Sequence, residues 1–343
     1  MKRYANPTVA VVGATGAVGR TMQAILAERD FPVENIRLLA SERSAGTVAE
    51  TPWGPVTIED LAAADPTGVD IAIFSAGGAR SKEYAPRFVE AGATVVDNSS
   101  AWRMDPDVPL VVAEVNDSAI ETHRGIVANP NCTTMALMMA AGPLHEAAGI
   151  DRMVASSYQA TGGSGQHGMA TLERQIDWFR GNREVLQHGG WEDPGGDLYQ
   201  RPIAYNVLPM AGAITEEGYT DEEWKLVYET RKILGSPTIK VEPTCVRVPT
   251  MVGHGLAATM FFDRPLPLEE AKEILSDAPG TQLWPDDHVP TPLDSAGVDD
   301  VLIGRVRETV GERGGINLWV VGDNLRKGAA LNAVQLAELL LDR

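Results

Sequence analysis

Cysteine is nearly absent from this sequence. Its 343 residues include only Cys132 and Cys245, which cannot form a disulfide framework. Neither the C-x-x-C nor the H-x-x-x-H spacing typical of zinc sites occurs, and the six histidines are scattered. The sequence therefore predicts neither a small disulfide-stabilised fold nor a metal site.

Long apolar runs and excess positive charge are also lacking. No apolar stretch reaches the roughly 18 residues that a transmembrane helix needs. Lys and Arg number 29 against 47 Asp and Glu, a net charge of −18, which disfavours nucleic acid and anionic membranes as partners. The N-terminus is basic and then apolar, as in a signal peptide, but three early glycines interrupt the apolar part. We expect a cytoplasmic protein in which any anionic ligand is held by a local group of Arg and Lys.

Glycine, by contrast, is plentiful, and its first occurrences form a motif. The segment TVAVVGATGAVGRTMQAILAERD predicts a buried strand, a glycine turn and a helix. Gly13, Gly16 and Gly19 form a G-x-x-G-x-x-G variant of the Rossmann fingerprint, in which glycines let the backbone approach a pyrophosphate at the helix N-terminus. The motif predicts a dinucleotide contacted by Gly13, Ala14, Thr15, Gly16, Ala17 and Val18.

The second strand, NIRLLAS, ends where such folds select between NAD and NADP. Glu42 could accept a ribose hydroxyl, as in NAD sites, but Ser41, Arg43 and Ser44 surround it with donors suited to a 2′-phosphate. We therefore expect NADP(H) as the cofactor. Further strand and helix units follow and predict a parallel sheet, in which Ser75 of FSAGG offers a second backbone contact to the cofactor.

Cys132 lies where a strand-like run meets a helix-like run, in VANPNCTTMALMMAAG. A free cysteine is most often a small buried hydrophobe. At this position it could instead be a thiolate nucleophile stabilised by the first turn of a helix that Asn131 caps. The N–H groups of that turn could also hold an oxyanion. Together with a nicotinamide cofactor, this predicts aldehyde and thioester chemistry. Cys245, in an alternating strand-like run, is interpreted as a core residue.

A set of ordered motifs covers nearly the whole chain: GATGAVG, SERSAG, DNSSAWRM, NPNCTT, SYQATGGSG, YTDEEWK, CVRVPTMVGHG and DNLRKGAA. With these motifs the sequence resembles the aspartate-semialdehyde dehydrogenases. The resemblance implies NADPH-dependent reductive dephosphorylation of L-aspartyl-4-phosphate to L-aspartate-4-semialdehyde and inorganic phosphate, in lysine, threonine, methionine and isoleucine biosynthesis. It also implies a homodimer or homotetramer.

The resemblance assigns roles residue by residue. Cys132 is the nucleophile, His254 the acid/base histidine and Gln159 the side chain that orients the acyl group. The implied substrate ligands are Arg247 for the carboxylate, Glu222 (or its neighbour Glu223) for the ammonium, and Arg103, Asn131 and Lys225 for the phosphate. Gly162, Gly163 and Asn324 are implied to lie near the nicotinamide. Arg103, Lys225 and Arg247 would thus be the local cations that an anionic substrate requires.

The predicted architecture is α/β, with an N-terminal Rossmann-type domain and an α+β catalytic and dimerisation domain with a mixed sheet. The first domain is expected over 1–131, completed by an amphipathic C-terminal helix over 324–343 that Asn324 caps; the second is expected over 132–323.

Three other functions stay open. N-acetyl-γ-glutamyl-phosphate reductases share the cysteine, histidine and NADPH, but a carboxylate for a free ammonium would have no purpose there. An inactive paralogue should have lost Cys132 or His254, and both are present. In a hydroxy-acid dehydrogenase Cys132 would be incidental.

Overall fold

The computed structural model describes residues 4–194, 198–215 and 217–341, and divides them into two compact units. The first unit holds the residues up to Met138, residues 228–237 and the residues from Leu325 onward. The second holds Met139–Val227 and Thr238–Asn324. Residues 228–237 thus pack with the first unit, although they lie within the stretch 132–323 in which we expect the catalytic domain.

The strands are β1 (Thr8–Val12), β2 (Asn35–Ala40), β3 (Val48–Thr51), β4 (Gly54–Thr57), β5 (Glu59–Asp60), β6 (Ile71–Phe74), β7 (Thr94–Asp97), β8 (Ile126–Ala128), β9 (Ile150–Gln159), β10 (Lys240–Arg247), β11 (His254–Phe262), β12 (Thr281–Leu283), β13 (Val301–Glu308) and β14 (Gly315–Gly322). The helices are α1 (Ala17–Glu28), α2 (Gly78–Glu90), α3 (Cys132–Ala148), α4 (Gly165–Gly181), α5 (Val185–His188), α6 (Asp221–Ile233), α7 (Leu268–Asp277), α8 (Pro292–Ser295) and α9 (Leu331–Glu338).

The first unit is built on a parallel six-stranded sheet in the order β5-β2-β1-β6-β7-β8. Numbered along the sheet alone, this order is 3-2-1-4-5-6, that of the doubly wound dinucleotide-binding fold. The strand order reverses between β1 and β6, and in such sheets ligands bind beyond the carboxyl ends of the strands at that point. The predicted Rossmann-type domain is confirmed.

Both faces of this sheet are buried, which explains the continuous apolar run of β1. Val9 and Val11 belong to a core shared with α1 and α9, whereas Ala10 and Val12 belong to a core shared with α2. Alternate residues of a strand point to opposite faces, so a strand covered by helices on both sides must be apolar throughout.

The C-terminal segment differs from the predicted amphipathic helix. A π-helical turn, Arg326–Ala330, precedes α9, and residues 327–337 are all buried. The segment lies inside the core of the first unit, so its polar groups need internal partners: the Lys327 ammonium donates to Glu114, Gln335 and the Ala113 carbonyl. Asn324 does not cap this helix. Residues 342 and 343 of the predicted helix lie outside the described residues.

The second unit has a mixed six-stranded sheet, in the order β10-β9-β11-β14-β13-β12, as predicted. β9 and β10 run parallel, and Gln159 pairs with Arg247 at their last residues. β11 runs antiparallel to β9 and begins with His254 at the same end. The sheet therefore brings these three predicted site residues to one edge. Among the described residues, no helix combines the length and apolarity required to cross a membrane.

Candidate active site

The glycine turn after β1 lies at the point where the strand order reverses. Gly13 has φ +87°, and a Cβ there would come within 2.2 Å of the Ser75 carbonyl oxygen, which follows β6. A Cβ on Gly19 would lie 2.3 Å from the Gly13 carbonyl oxygen, so α1 also packs directly on the turn. Only glycine fits either position, and the turn brings the predicted cofactor residues Gly13 and Ser75 together.

The N-terminus of α1 has the features of a phosphate site. Its N-cap is the exposed Gly16, which has no side chain to occupy the first N–H groups, and the first turn contains no acidic residue. Such a terminus attracts an anion through its N–H groups and the helix dipole. After β2, the segment from Ser41 to Ser44 forms a short 3-10 turn on which Glu42 and Arg43 are both exposed. The predicted cofactor residues Ser41, Arg43 and Ser44 therefore lie together on one turn after β2.

Cys132 is the first residue of α3 and is half-buried. Asn131 Oδ1 accepts the N–H groups of Thr133 (2.9 Å) and Thr134 (3.3 Å), which confirms the predicted N-cap. The same bonds engage these two N–H groups of the first turn with the cap, so in this structure they are not free to bind an oxyanion. The dipole of α3 still favours a thiolate at Cys132.

Arg103 is buried and bound by the protein itself. Its Nε donates to the Asn129 carbonyl at 2.9 Å and Nη2 to the Asn98 carbonyl at 3.1 Å. Nη1 donates to Glu229 Oε1 at 3.1 Å, forming an ion pair with a carboxylate that is 1% exposed. The second oxygen of Glu229 accepts the Asn131 N–H at 2.7 Å. One carboxylate therefore joins two predicted phosphate ligands.

His254 is completely buried at the start of β11. Its Nδ1 accepts the Ala160 N–H at 3.1 Å, and because a backbone amide can only donate, the neutral ring carries its proton on Nε2. Within the described part of the chain Nε2 has no hydrogen-bond partner. Burial, and secondarily the charge of Arg247, lower the pKa of His254 to about 3. His254 is therefore a neutral ring that presents an N–H donor.

Arg247 and Gly163 lie next to that donor. Arg247 Nη1 donates to the Ala160 carbonyl at 2.9 Å, whereas its Nε is buried and, among the described residues, has no partner. No carboxylate in the described part of the chain pairs with Arg247, which lines a cavity of about 570 Å³ in the second unit. A Cβ on Gly163 would lie 2.9 Å from Arg247 Nη1 and 3.1 Å from His254 Nε2. Glycine keeps the approach to both donors open.

Asn324 holds a third buried donor. Its Oδ1 accepts the Gly253 N–H at 2.9 Å, which fixes the amide, and Nδ2 has no partner within the described residues. A Cβ on Gly162 would lie 3.5 Å from Nδ2 and 2.5 Å from the Met251 carbonyl oxygen. The predicted residues Gly162 and Asn324 are thus adjacent, and they offer a donor to a ligand that carries an acceptor.

Gln159, Glu222 and Lys225 also meet in the second unit. Gln159 Nε2 donates to Ser157 Oγ at 3.2 Å and makes a long contact of 3.5 Å with Glu222 Oε1. Lys225 Nζ pairs with Asp221 at 2.8 Å and Glu222 at 3.1 Å. Burial lowers the pKa of Lys225, but the two carboxylates outweigh it and hold the pKa above its usual value. The lysine is a cation with carboxylate partners.

Glu223, the alternative to Glu222, is used differently. Its Oε2 accepts the Thr220 N–H at 2.7 Å while Thr220 Oγ1 accepts the Glu223 N–H at 3.2 Å, a capping box at the start of α6. Its Oε1 accepts the Cys245 N–H at 2.8 Å. Both carboxylate oxygens of Glu223 thus bind backbone, whereas Glu222 contacts Gln159.

Two family models together match most of the chain. Residues 8–123 match the family described as "Semialdehyde dehydrogenase, NAD binding domain", and residues 142–327 match "Semialdehyde dehydrogenase, dimerisation domain". The chain belongs to the semialdehyde dehydrogenase family.

Its similarity to individual family members extends over nearly the whole chain. Proteins named aspartate-semialdehyde dehydrogenase from Streptomyces akiyoshiensis and Corynebacterium melassecola are 52% and 51% identical, covering 97% of this chain and 98% and 99% of theirs. The crystal structure of aspartate semialdehyde dehydrogenase II from Vibrio cholerae is 43% identical over 98% of both chains, with a TM-score of 0.93. A second structure of that protein, in complex with ASA, is 42% identical over 98% of both chains, with a TM-score of 0.92.

In this semialdehyde dehydrogenase the three predicted cations are not equivalent. Arg103 and Lys225 pair with carboxylates of the protein itself, so each brings little net positive charge to its surroundings. Among the described residues only Arg247 of the three lacks such a partner. Two of the three predicted cations are thus paired within the protein: Arg103 with Glu229, far away in the chain, and Lys225 with its neighbours Asp221 and Glu222 on the same helix.

Glu229 is the residue of this region that sequence reasoning missed. It lies 126 residues from Arg103 in the chain, and no local pattern marks it. The capping box of Glu223 did have a signal, the T-x-x-E spacing before an apolar run, and that pattern separates Glu223 from Glu222. Cys245 is confirmed as a core residue: it is 0% exposed, and burial raises the pKa of its thiol to about 12.

Proposed function

We propose that this chain catalyses the reversible NADPH-dependent conversion of L-aspartyl-4-phosphate to L-aspartate-4-semialdehyde and inorganic phosphate, in lysine, threonine, methionine and isoleucine biosynthesis. The observation that carries the proposal is the pair of buried donors beside Gly163. Arg247, with no carboxylate partner in the described chain, suits a ligand carboxylate, and the neutral Nε2–H of His254 suits a carbonyl oxygen. The names of the relatives and the ASA complex support this choice of substrate.

Cys132 and His254 perform the covalent part of the reaction. The Cys132 thiolate attacks the acyl carbon, the C–O bond to phosphate breaks, and a thioester remains. NADPH, when bound, supplies the hydride that reduces this thioester. This reduction leaves a negative charge on the oxygen of the former thioester carbonyl, and the Nε2–H of His254 stabilises that oxyanion. When the C–S bond breaks, the aldehyde leaves and the thiolate returns, so in this step His254 serves as a hydrogen-bond donor and not in the acid/base role that the resemblance implies. The proton that the overall reduction consumes is taken up by the phosphate that leaves when the thioester forms.

The remaining site residues bind the two ends of the substrate. Arg247 holds the α-carboxylate with its planar guanidinium, and Glu222 receives the ammonium. Gln159, whose amide contacts Glu222, orients the acyl group without adding charge. The phosphate ligands are Arg103, Asn131 and Lys225.

Glu222 and Glu223 provide a matched pair of variants. We expect Glu222→Gln to raise the KM for the semialdehyde about tenfold or more, because it removes the charge that faces the ammonium. Glu223→Gln should leave that KM within about twofold of wild type and lower stability by about 1–2 kcal/mol, since an amide cannot accept both backbone N–H groups. Steady-state kinetics and thermal unfolding of both variants check this. The reverse pattern would assign the ammonium to Glu223.

The cofactor is held at the glycine turn and the first turn of α1, with NADP selected at Arg43. Arg43 is exposed and has no side-chain partner in the described part of the chain, so it is available to a 2′-phosphate. We expect Arg43→Ala to lower kcat/KM for NADPH about tenfold or more while that for NADH changes less than threefold. Equal losses with both cofactors would remove Arg43 from the selection of NADP.

The second unit is proposed to form a homodimer, or a homotetramer built from dimers. The solvent face of β9 and β11 exposes Val154, Tyr158 and Ala257, an apolar patch in the residues that match the dimerisation domain. We place the enzyme in the cytoplasm.

NADPH formation from L-aspartate-4-semialdehyde and NADP⁺, with and without inorganic phosphate, tests the function. The proposal predicts a signal that depends on phosphate. A signal indifferent to phosphate would make water the acyl acceptor and remove the phosphate roles. Activity with N-acetylglutamate semialdehyde alone would identify an N-acetyl-γ-glutamyl-phosphate reductase.

A further inference from the structure

The last part of α6 belongs to the first unit and carries two charged side chains there, Glu229 and Lys232, which we call the α6 clamp. Lys232 Nζ donates to three carbonyl oxygens of one loop: Arg103 at 2.7 Å, Asp105 at 2.7 Å and Val108 at 2.8 Å. The clamp therefore binds Arg103 twice, at its guanidinium through Glu229 and at its backbone through Lys232.

Glu229 also reaches the residue that precedes the nucleophile. Its two oxygens accept two different donors, Arg103 Nη1 and the Asn131 backbone N–H. A carboxylate can accept both bonds at once, whereas an amide presents one oxygen and one NH₂ group. Asn131 in turn caps the helix that begins at Cys132. The Glu229 carboxylate thus fixes the position of the Arg103 guanidinium and, through Asn131, the position of the N-terminus of α3.

We propose that Glu229 and Lys232 are positioning residues for the phosphate half of the reaction. Glu229 holds Arg103 and Asn131 at a fixed separation, and Lys232 fixes the loop that carries Arg103. The proposal rests on the proposed function, in which Arg103 and Asn131 bind phosphate. According to this proposal, the affinity for phosphate also depends on Glu229 and Lys232, which contact other residues of the protein and not the phosphate.

Whether Glu229→Gln raises or lowers the KM for phosphate shows whether Glu229 acts by positioning other residues or only by its charge. A carboxylate near a phosphate site repels the anion, so if Glu229 acted by charge alone, Glu229→Gln would lower the KM for phosphate. If Glu229 acts by position, the variant raises that KM, because an amide leaves one of the two donors unsatisfied and displaces Arg103 or Asn131. The KM for the semialdehyde and for NADP⁺ should stay near wild type in either case.

The experiment compares Glu229→Gln, Lys232→Arg and a control, Glu121→Gln, whose exposed carboxylate in the first unit has no side-chain partner in the described structure. We expect the two clamp variants to raise the KM for phosphate about tenfold and to lower kcat, with the other two KM values within about twofold. Lys232→Arg keeps the positive charge, but a guanidinium spreads its donors over three nitrogens in a plane, whereas in wild type one nitrogen donates to all three carbonyl oxygens. A higher KM for phosphate in this variant would therefore reflect geometry and not charge. The control should match wild type.

A lower or unchanged KM for phosphate in Glu229→Gln, with normal thermal unfolding, would overturn the proposal. If Glu229→Gln does not fold, the KM for phosphate of Lys232→Arg is used instead: a higher value supports the proposal, and a lower or unchanged value overturns it. If wild type shows no phosphate-dependent activity, the proposed function fails, and the clamp is then tested by phosphate protection of Cys132 against iodoacetamide. Weaker protection in the clamp variants supports positioning, and equal protection contradicts it.

Discussion

Replacing Cys132 with alanine lowers phosphate-dependent NADPH formation by at least about 10⁴-fold, because the covalent route loses its only nucleophile. Cys132 sits half-buried at the capped N-terminus of α3, where the helix dipole favours the thiolate. The measurement is the semialdehyde assay with saturating phosphate, made on enzyme whose thermal unfolding matches wild type.

Cys245→Ala is the matched control for this experiment. The Cys245 side chain is 0% exposed, and burial raises the pKa of its thiol to about 12, so it is not ionised at neutral pH. The variant should retain most activity, and its remaining thiol, Cys132, should be the one that iodoacetamide alkylates. Turnover that survives in Cys132→Ala would exclude the thioester route and favour a direct hydroxy-acid dehydrogenase.

His254→Asn is expected to lower kcat by about 10²–10³-fold, the usual effect of removing one donor to an oxyanion. Asparagine Oδ1 can still accept the Ala160 N–H, so the structural bond is kept, while no donor reaches the position of Nε2. The semialdehyde KM, which depends on Arg247 and Glu222, should change little. Equal losses in kcat and in binding of the semialdehyde would argue instead for a general collapse of the site.

The same variant has a distinct effect on stability in acid. His254 has a pKa of about 3 in the folded chain and about 6.5 when unfolded, so the unfolded chain binds more protons between those values. The free energy of unfolding of wild type should therefore fall as pH drops through this window, by at most about 1.4 kcal/mol per pH unit. His254→Asn lacks this contribution and should gain stability relative to wild type from pH 6.5 downward. Urea unfolding at pH 7.5, 5.5 and 4.5 checks this, and parallel pH slopes would contradict a buried neutral ring.

Local sequence was sufficient wherever a backbone rule acts over a few residues. The glycines of GATGAVG predicted the turn between β1 and α1, because Gly13 and Gly19 occupy positions where any Cβ would collide. Asn131 before Cys132 predicted the cap of α3. The π-helical turn of the C-terminal segment and its burial on all sides were not predictable, since its apolar spacing fits an amphipathic helix equally well and only its packing inside the first unit buries the polar face.

The sequence alone determined the chemistry this protein carries: a dinucleotide turn, a cysteine at a helix N-terminus and the histidine, glutamine and arginine implied by its motifs. The glycine turn and the position of the cysteine follow from residue types within short segments, whereas the roles of the histidine, glutamine and arginine rest on the resemblance. Tertiary structure decided the electrostatics. It paired Arg103 with Glu229, left Arg247 without a carboxylate among the described residues, and made His254 a neutral donor. The burial of a side chain and the charges around it depend on residues that are far apart in the chain, so a local sequence pattern does not predict them.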